Sequence, residues 1–132
     1  MKTTSRLRML PAMVGVSIAA LALAGPAGTA QAADPIKVGH VAALSGASAQ
    51  SGEAITRGLQ IAIDEINASG GLLDGRMIEL IQRDDESKPP KGLIAARELI
   101  FNEDVAAFFG GIDSPVSLAI VPLANQEKTP FM

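Results

Sequence analysis

The sequence predicts an α/β protein built on an open, doubly wound parallel sheet in the order βαβαβαβ. Two observations carry that expectation. Short apolar runs of strand length alternate with longer segments of helical period, and nearly every change of period falls at a Gly, Pro or Asp-Gly boundary. Such alternation places helices on both faces of a parallel sheet through right-handed crossovers. A third observation sets where the fold begins. Residues 1–32 read as a secretory signal peptide: Lys2, Arg6 and Arg8 form a positive start, Met13 to Ala24 a short uncharged apolar centre, and Ala30-Gln31-Ala32 a small-x-small cleavage pattern. Pro11 and Gly25-Pro26 keep the apolar stretch well short of the roughly 20 residues a membrane span needs. There is no cysteine to carry a lipid. The mature chain, residues 33–132, is therefore expected outside the cytoplasm.

The elements follow in order. Ile36 to Ala43 alternates and then turns apolar and small, which predicts strand one. Ile55, Leu59, Ile63 and Ile66, with Ala62 beside them, mark one face of a first helix, with Ser51 as its expected N-cap and Asn67-Ala68-Ser69-Gly70-Gly71 as its stop. Asp74-Gly75 turns the chain into strand two at Met77 to Gln82, which runs into Asp84-Asp85-Glu86. Pro89 and Pro90 open a second helix whose stripe is Leu93, Ala96, Leu99 and Ile100. Val105 to Phe109 reads as a buried third strand. Ser114-Pro115 reads as an N-cap followed by proline at the first position of a third helix carrying Leu118, Val121 and Leu123. Thr129 to Met132 is the expected start of a fourth strand. In an open sheet of this kind ligands sit beyond the carboxyl ends of the strands, here at Leu44–Gly52, Asp84–Pro89 and Gly110–Ser114.

Composition removes several classes of function. Setting Lys2, Arg6 and Arg8 aside leaves eight basic residues against fourteen acids, a net charge of −6, with no Tyr or Trp in the chain. A nucleic-acid partner is not expected of such a chain, which lacks both the basic footprint and most of the stacking surface. No cysteine and a single histidine, His40, leave no ligand set for structural zinc and no disulfide. Neither a metal nor a cofactor is expected.

Enzyme motifs fail on spacing. Gly46 and Gly52 are too far apart for a dinucleotide turn after strand one, although Asp84 stands where its acid would be. Ser45-Gly46 lacks the glycine two positions earlier that a nucleophile elbow needs, and His40 is read as a satisfied or edge-facing strand histidine. Asp84-Asp85-Glu86 lacks calcium-loop spacing and is read as a solvated strand end. Ser114 is the more informative residue. Beside Gly110 and Gly111 at a helix start, it would meet a carboxylate or another oxygen acceptor through the dipole and open N–H groups, or would serve as a plain cap. Ser51 faces the same rim with the same two readings.

The runs LSGASAQSGEAITRGLQIAIDEINASGGLLDGRMIELIQRDDESKPPKGLIAARELI and FFGGIDSPVSLAIVPLANQEKTPFM resemble the N-terminal lobe of type I periplasmic binding proteins, in the Leu/Ile/Val-binding branch of ABC-transporter receptors. The likeness spans residues 36–132. It rests on the order of Leu44-Ser45-Gly46, the Gly58 to Gly71 helix with Glu65-Ile66-Asn67, the Asp84-Asp85 pair and the Ser114 to Pro122 segment. The resemblance implies a non-enzymatic, two-lobed periplasmic receptor that closes on a small ligand and delivers it to an ABC permease in the inner membrane. Branched-chain amino acids are the implied ligands, with amides, urea and aromatic acids in the same branch. It implies that Ser114 holds the ligand's main-chain groups, with Ile112 and Asp113 on the adjoining loop. An ectodomain of a signalling receptor and an exported enzyme are the alternatives.

Two departures from the family pattern bear on the ligand. Ser51 stands where branched-chain members often carry a tyrosine. Ser87 and Asp113 lie near the positions where some members join two loops by a disulfide. Asp113 would disfavour an anionic ligand if its carboxylate faced inward, and an outward orientation is equally open. Family members are several times longer, so residues 33–132 are expected to form part of a first lobe without hinge or second lobe. Alone, they are expected to be marginally stable, with an unprotected edge near Pro130-Phe131-Met132.

Overall fold

The structure, a computed structural model that describes residues 33–132, contains β1 (Ile36–Ala42), α1 (Ala49–Ala68), β2 (Ile78–Asp84), α2 (Pro89–Phe101), β3 (Ala107–Gly110) and α3 (Ser114–Glu127). The leader assigned to residues 1–32 lies outside the described residues. The strands run parallel in the order β2-β1-β3. Ala42 pairs with Asp84 and Val41 with Gly110, so the three carboxyl ends finish at nearly one level. The expected fourth strand is here a single parallel bridge between Phe108 and Phe131. Phe108 N–H donates to Pro130 C=O at 3.0 Å and Met132 N–H to Phe108 C=O at 3.1 Å.

The two faces of the sheet are covered differently. On one, α2 and α3 pack over Val41 and Phe108 to form the core, with Ala96, Leu99, Val116 and Ile120 wholly buried. The 3.6-residue stripe predicted for α2 is the one it buries. That of α3 agrees with prediction only at Leu123: Val116, Ile120 and Ala124 face inward with it, while Leu118 is 72% exposed and Val121 is exposed as well. Three-residue spacing fits either stripe on an apolar helix, and packing against α2 selects between them.

On the other face α1 lies alone among the described residues. Of its predicted stripe only Ile63 is buried; Leu59 and Ile66 are partly covered, and Ile55 and Ala62 are exposed. A trough of about 390 Å³ runs beside it, lined by Val38, Leu59, Ile63, Ile66, Ile78 and Phe109. The far end of α1 is nevertheless fastened to β2. Asn67 Nδ2 donates to Ile78 C=O at 2.9 Å, and Ile78 N–H donates to Asn67 Oδ1 at 2.8 Å. That side chain acts as a short strand partner at the edge of β2.

Candidate functional site

The rim is built from the three loops that leave the carboxyl ends of β1, β2 and β3. Asp84, the last residue of β2, fixes the first of them. Its Oδ1 accepts Leu44 N–H at 3.0 Å, Ser45 N–H at 3.2 Å and Glu86 N–H at 2.8 Å, and its Oδ2 accepts the Ser45 hydroxyl at 2.6 Å. Burial works to raise this carboxyl, but the bonds from Ser45, Glu86 and Leu44 outweigh it and hold it below the ordinary carboxylate range. Gly46 then turns with φ 87°, and a Cβ there would lie 2.5 Å from Glu86 C=O. Only glycine lets the first two loops touch at that point.

Both helix starts differ from prediction. α1 begins at Ala49 with Ser48 as its cap, so Ser51 is an exposed residue of the first turn. α3 begins at Ser114 with Asp113 as its cap, so Ser114 is the first helical residue and Pro115 the second. The reason is a tertiary bond. Ser48 Oγ donates to Asp113 Oδ1 at 2.7 Å, so the two cap side chains hold each other, and neither caps its own helix. The N-termini of α1 and α3 are thereby drawn to one place on the rim with no acid in either first turn. Ser48 N–H also donates to Ser87 Oγ at 3.1 Å. Ser87 and Asp113, on the second and third loops, are thus joined through Ser48.

Of the four predicted site residues, Asp113 turns its carboxylate toward the β1–α1 loop, where Ser48 holds one of its oxygens. Ser114 stands exposed at the mouth of α3. Ile112 goes elsewhere. It lines a hollow of about 220 Å³ on the α1 side, with His40, Gly52, Ile55 and Phe109. Gly52 is required there, since a Cβ would stand 2.1 Å from Ala43 C=O, where the first turn of α1 crosses the end of β1. Sequence reasoning missed Ser48, whose only signal was its place among several serines in one loop.

His40 is not at an edge. It sits on the central strand, 3% exposed, with Nδ1 3.5 Å from Thr56 Oγ1, and burial lowers its pKa. The acidic trio also departs from the expected solvated strand end. Glu86 reaches Lys88 and Lys91 at the surface, whereas Asp85 is wholly buried because it turns under the rim against α2. Among the described residues no cluster of three or more histidines and acids could hold a metal, and no helix is long and apolar enough to cross a membrane.

A lobe of parallel strands whose loops gather two helix N-termini at the carboxyl edge defines a class: α/β proteins that take small ligands at the mouth of the sheet. The sequence pattern of the periplasmic binding protein family matches residues 35–132, and the chain belongs to that family, one of solute-binding proteins rather than enzymes. It is 36% identical over 119 residues to the Leu/Ile/Val-binding protein homolog 7 of Brucella abortus, covering 90% of this chain and 28% of that protein. Among solved structures it resembles the branched-chain amino acid transporter substrate-binding protein of Streptococcus pneumoniae in complex with isoleucine. That match has a TM-score of 0.70 at 34% identity, over 74% of this chain and 28% of the other. A solute-binding protein of an R. palustris ABC transporter in complex with benzoate gives a TM-score of 0.64 at 38% identity, over 74% of this chain and 26% of the other. The chain thus spans little more than a quarter of the length of these relatives.

Proposed function

We propose that this chain supplies the first-lobe part of an extracytoplasmic receptor for an ABC importer, which binds a small carboxylate with an apolar body. The observation that carries the reading is the Ser48–Asp113 bond. It engages one carboxylate oxygen of Asp113, the acid next to Ser114, and leaves the starts of α1 and α3 uncapped by side chains, where a carboxylate is favoured by N–H groups and dipole together. The relatives support this chemistry, since isoleucine and benzoate share a carboxylate on an apolar frame. Branched-chain amino acids and aromatic acids are accordingly the ligands proposed for this protein.

In this reading Ser114 donates its hydroxyl to the ligand carboxylate. Ser51 lines the same mouth from α1, Asp113 positions the α3 start through Ser48, and Ile112 shapes the neighbouring apolar wall. Residues 1–32 serve as the removed signal peptide, residues 33–132 as part of the first lobe, and the permease in the inner membrane as the partner. Thermal-shift titration of the full-length gene product with isoleucine, leucine, valine and benzoate tests it, because a ligand that binds only the native state raises the melting temperature. Ser114→Ala should weaken the ligand that scores by about tenfold, the worth of one charge-assisted hydrogen bond. Unchanged affinity would reduce Ser114 to a helix residue, and no shift with any carboxylate would overturn the reading.

A further inference from the structure

Beneath the rim two carboxyl oxygens are buried without a hydrogen-bond partner, Asp85 Oδ2 and Asp113 Oδ2. Unpaired carboxylate oxygens in a protein interior are costly, and two of like charge in one neighbourhood are costlier. The rest of each side chain is committed. Asp85 Oδ1 accepts Ser87 N–H at 2.7 Å, Ser87 Oγ accepts Ser48 N–H, and Ser48 Oγ donates to Asp113 Oδ1. The two acids therefore stand at the ends of one chain of bonds that joins all three loops.

Among the described residues the surroundings offer no compensating cation. From the β2–α2 loop and the start of α2, Lys88 and Lys91 both engage Glu86. Arg83 on β2 is held by Glu98 and Glu103. Gly92 of α2 packs against Asp85, with Val116 and Ile120 of α3 close by, and Ser48 from the β1–α1 loop is neutral. The charged neighbours left to Asp85 are Asp84 and Asp113, both acids.

We infer that the buried Asp85 carboxyl, with one oxygen unpartnered, keeps its proton to higher pH than the other aspartates, and that this proton stabilises the junction of the three rim loops. A proton on Asp85 removes the charge from a buried carboxyl and turns its unpartnered oxygen into a donor. Burial is the main force raising this carboxyl above the ordinary range; the Ser87 N–H bond opposes it, and Asp84 and Asp113 add to it. The folded state then binds a proton that the unfolded state has already released. Stability attached to this proton is complete below the ordinary carboxylate value and is lost as pH rises through the raised value of Asp85.

Carboxyl-carbon NMR of the full-length protein, with Asp85 assigned from the Asp85→Asn variant, reads the proton directly. One aspartate signal should titrate well above the others and vanish in that variant, and Asp113→Asn should bring its midpoint down. Urea unfolding across the same pH range should show the folding constant of the unmodified protein falling by up to about tenfold per pH unit at the steepest. Asp85→Asn should flatten that slope. If every aspartate titrates within or below the ordinary range, the inference fails, and the titration of the unmodified protein decides it even where a variant does not fold.

Discussion

The two faces of the sheet are made from helices of similar apolar content and yet differ in what holds them. Under α2 and α3 the strands meet a closed core in which Phe108, Leu99 and Ile120 are fully buried. Under α1 the strands meet one helix with a single buried large side chain, and attachment relies on point contacts at its two ends: Gly52 against Ala43, and Asn67 against Ile78. Burial distributes stability over many atoms, whereas end contacts concentrate it in few. Truncating apolar side chains should therefore separate the faces. Leu99→Ala should cost about 4 kcal/mol through lost transfer energy and the cavity left behind. Leu59→Ala, partly covered on the open face, should cost about 1 kcal/mol. Equal losses in urea unfolding would mean that the α1 face is closed in solution.

On the α1 face the end contacts should cost more than the apolar side chain between them. At Gly52 even one added methyl would stand against a backbone oxygen, so α1 must lift from β1, and Gly52→Ala should cost about 3 kcal/mol. The Ser48 loop moves with it, so hydrogen exchange at the rim amides Leu44 and Ser45 should speed up. Asn67→Ala strips Ile78 of partners for both its N–H and its C=O and should cost about 1.5 kcal/mol. Asn67→Asp keeps the acceptor and loses the donor, and should fall between the two. A neutral Asn67→Ala would show that water replaces this side chain without loss.

How far the sequence exposed these differences depends on whether the interaction is local. The α2 stripe was legible because Leu93, Ala96 and Leu99 repeat at helical spacing and Pro89-Pro90 fixes the start. The parallel sheet, its carboxyl rim and the three loops followed from alternation; the strand order did not. The caps did not follow. Ser51 and Ser114 each satisfy a local cap rule, but Ser48 and Asp113 hold the positions because they bond across 65 residues of chain. Asp85 reads as solvated in sequence for the same reason, since nothing next to it in the chain shows that Val116 and Ile120 meet it at Gly92. The α1 stripe was found correctly and still overstated burial, because periodicity reports which face is apolar and not what covers it.

The smallest expected effect sharpens the comparison at His40. This side chain points to the open face, yet it is buried on the strand floor, and burial lowers its pKa from the ordinary imidazole value. The folded protein holds it neutral, while the unfolded chain protonates it at about pH 6.5. The unfolded state therefore binds more protons below that value, and stability is lost as pH falls from there through the lowered value of His40. This slope is opposite in sign to the one expected from Asp85, so each must be read in its own variant. His40→Gln removes the titration while keeping a polar group near Thr56. Its stability should match the unmodified protein within about 0.5 kcal/mol near neutrality and fall less steeply on the acid side. A His40 ring that titrates by NMR at or above its ordinary value would show that water reaches the strand floor, and would extend the open character of the α1 face down to the sheet itself.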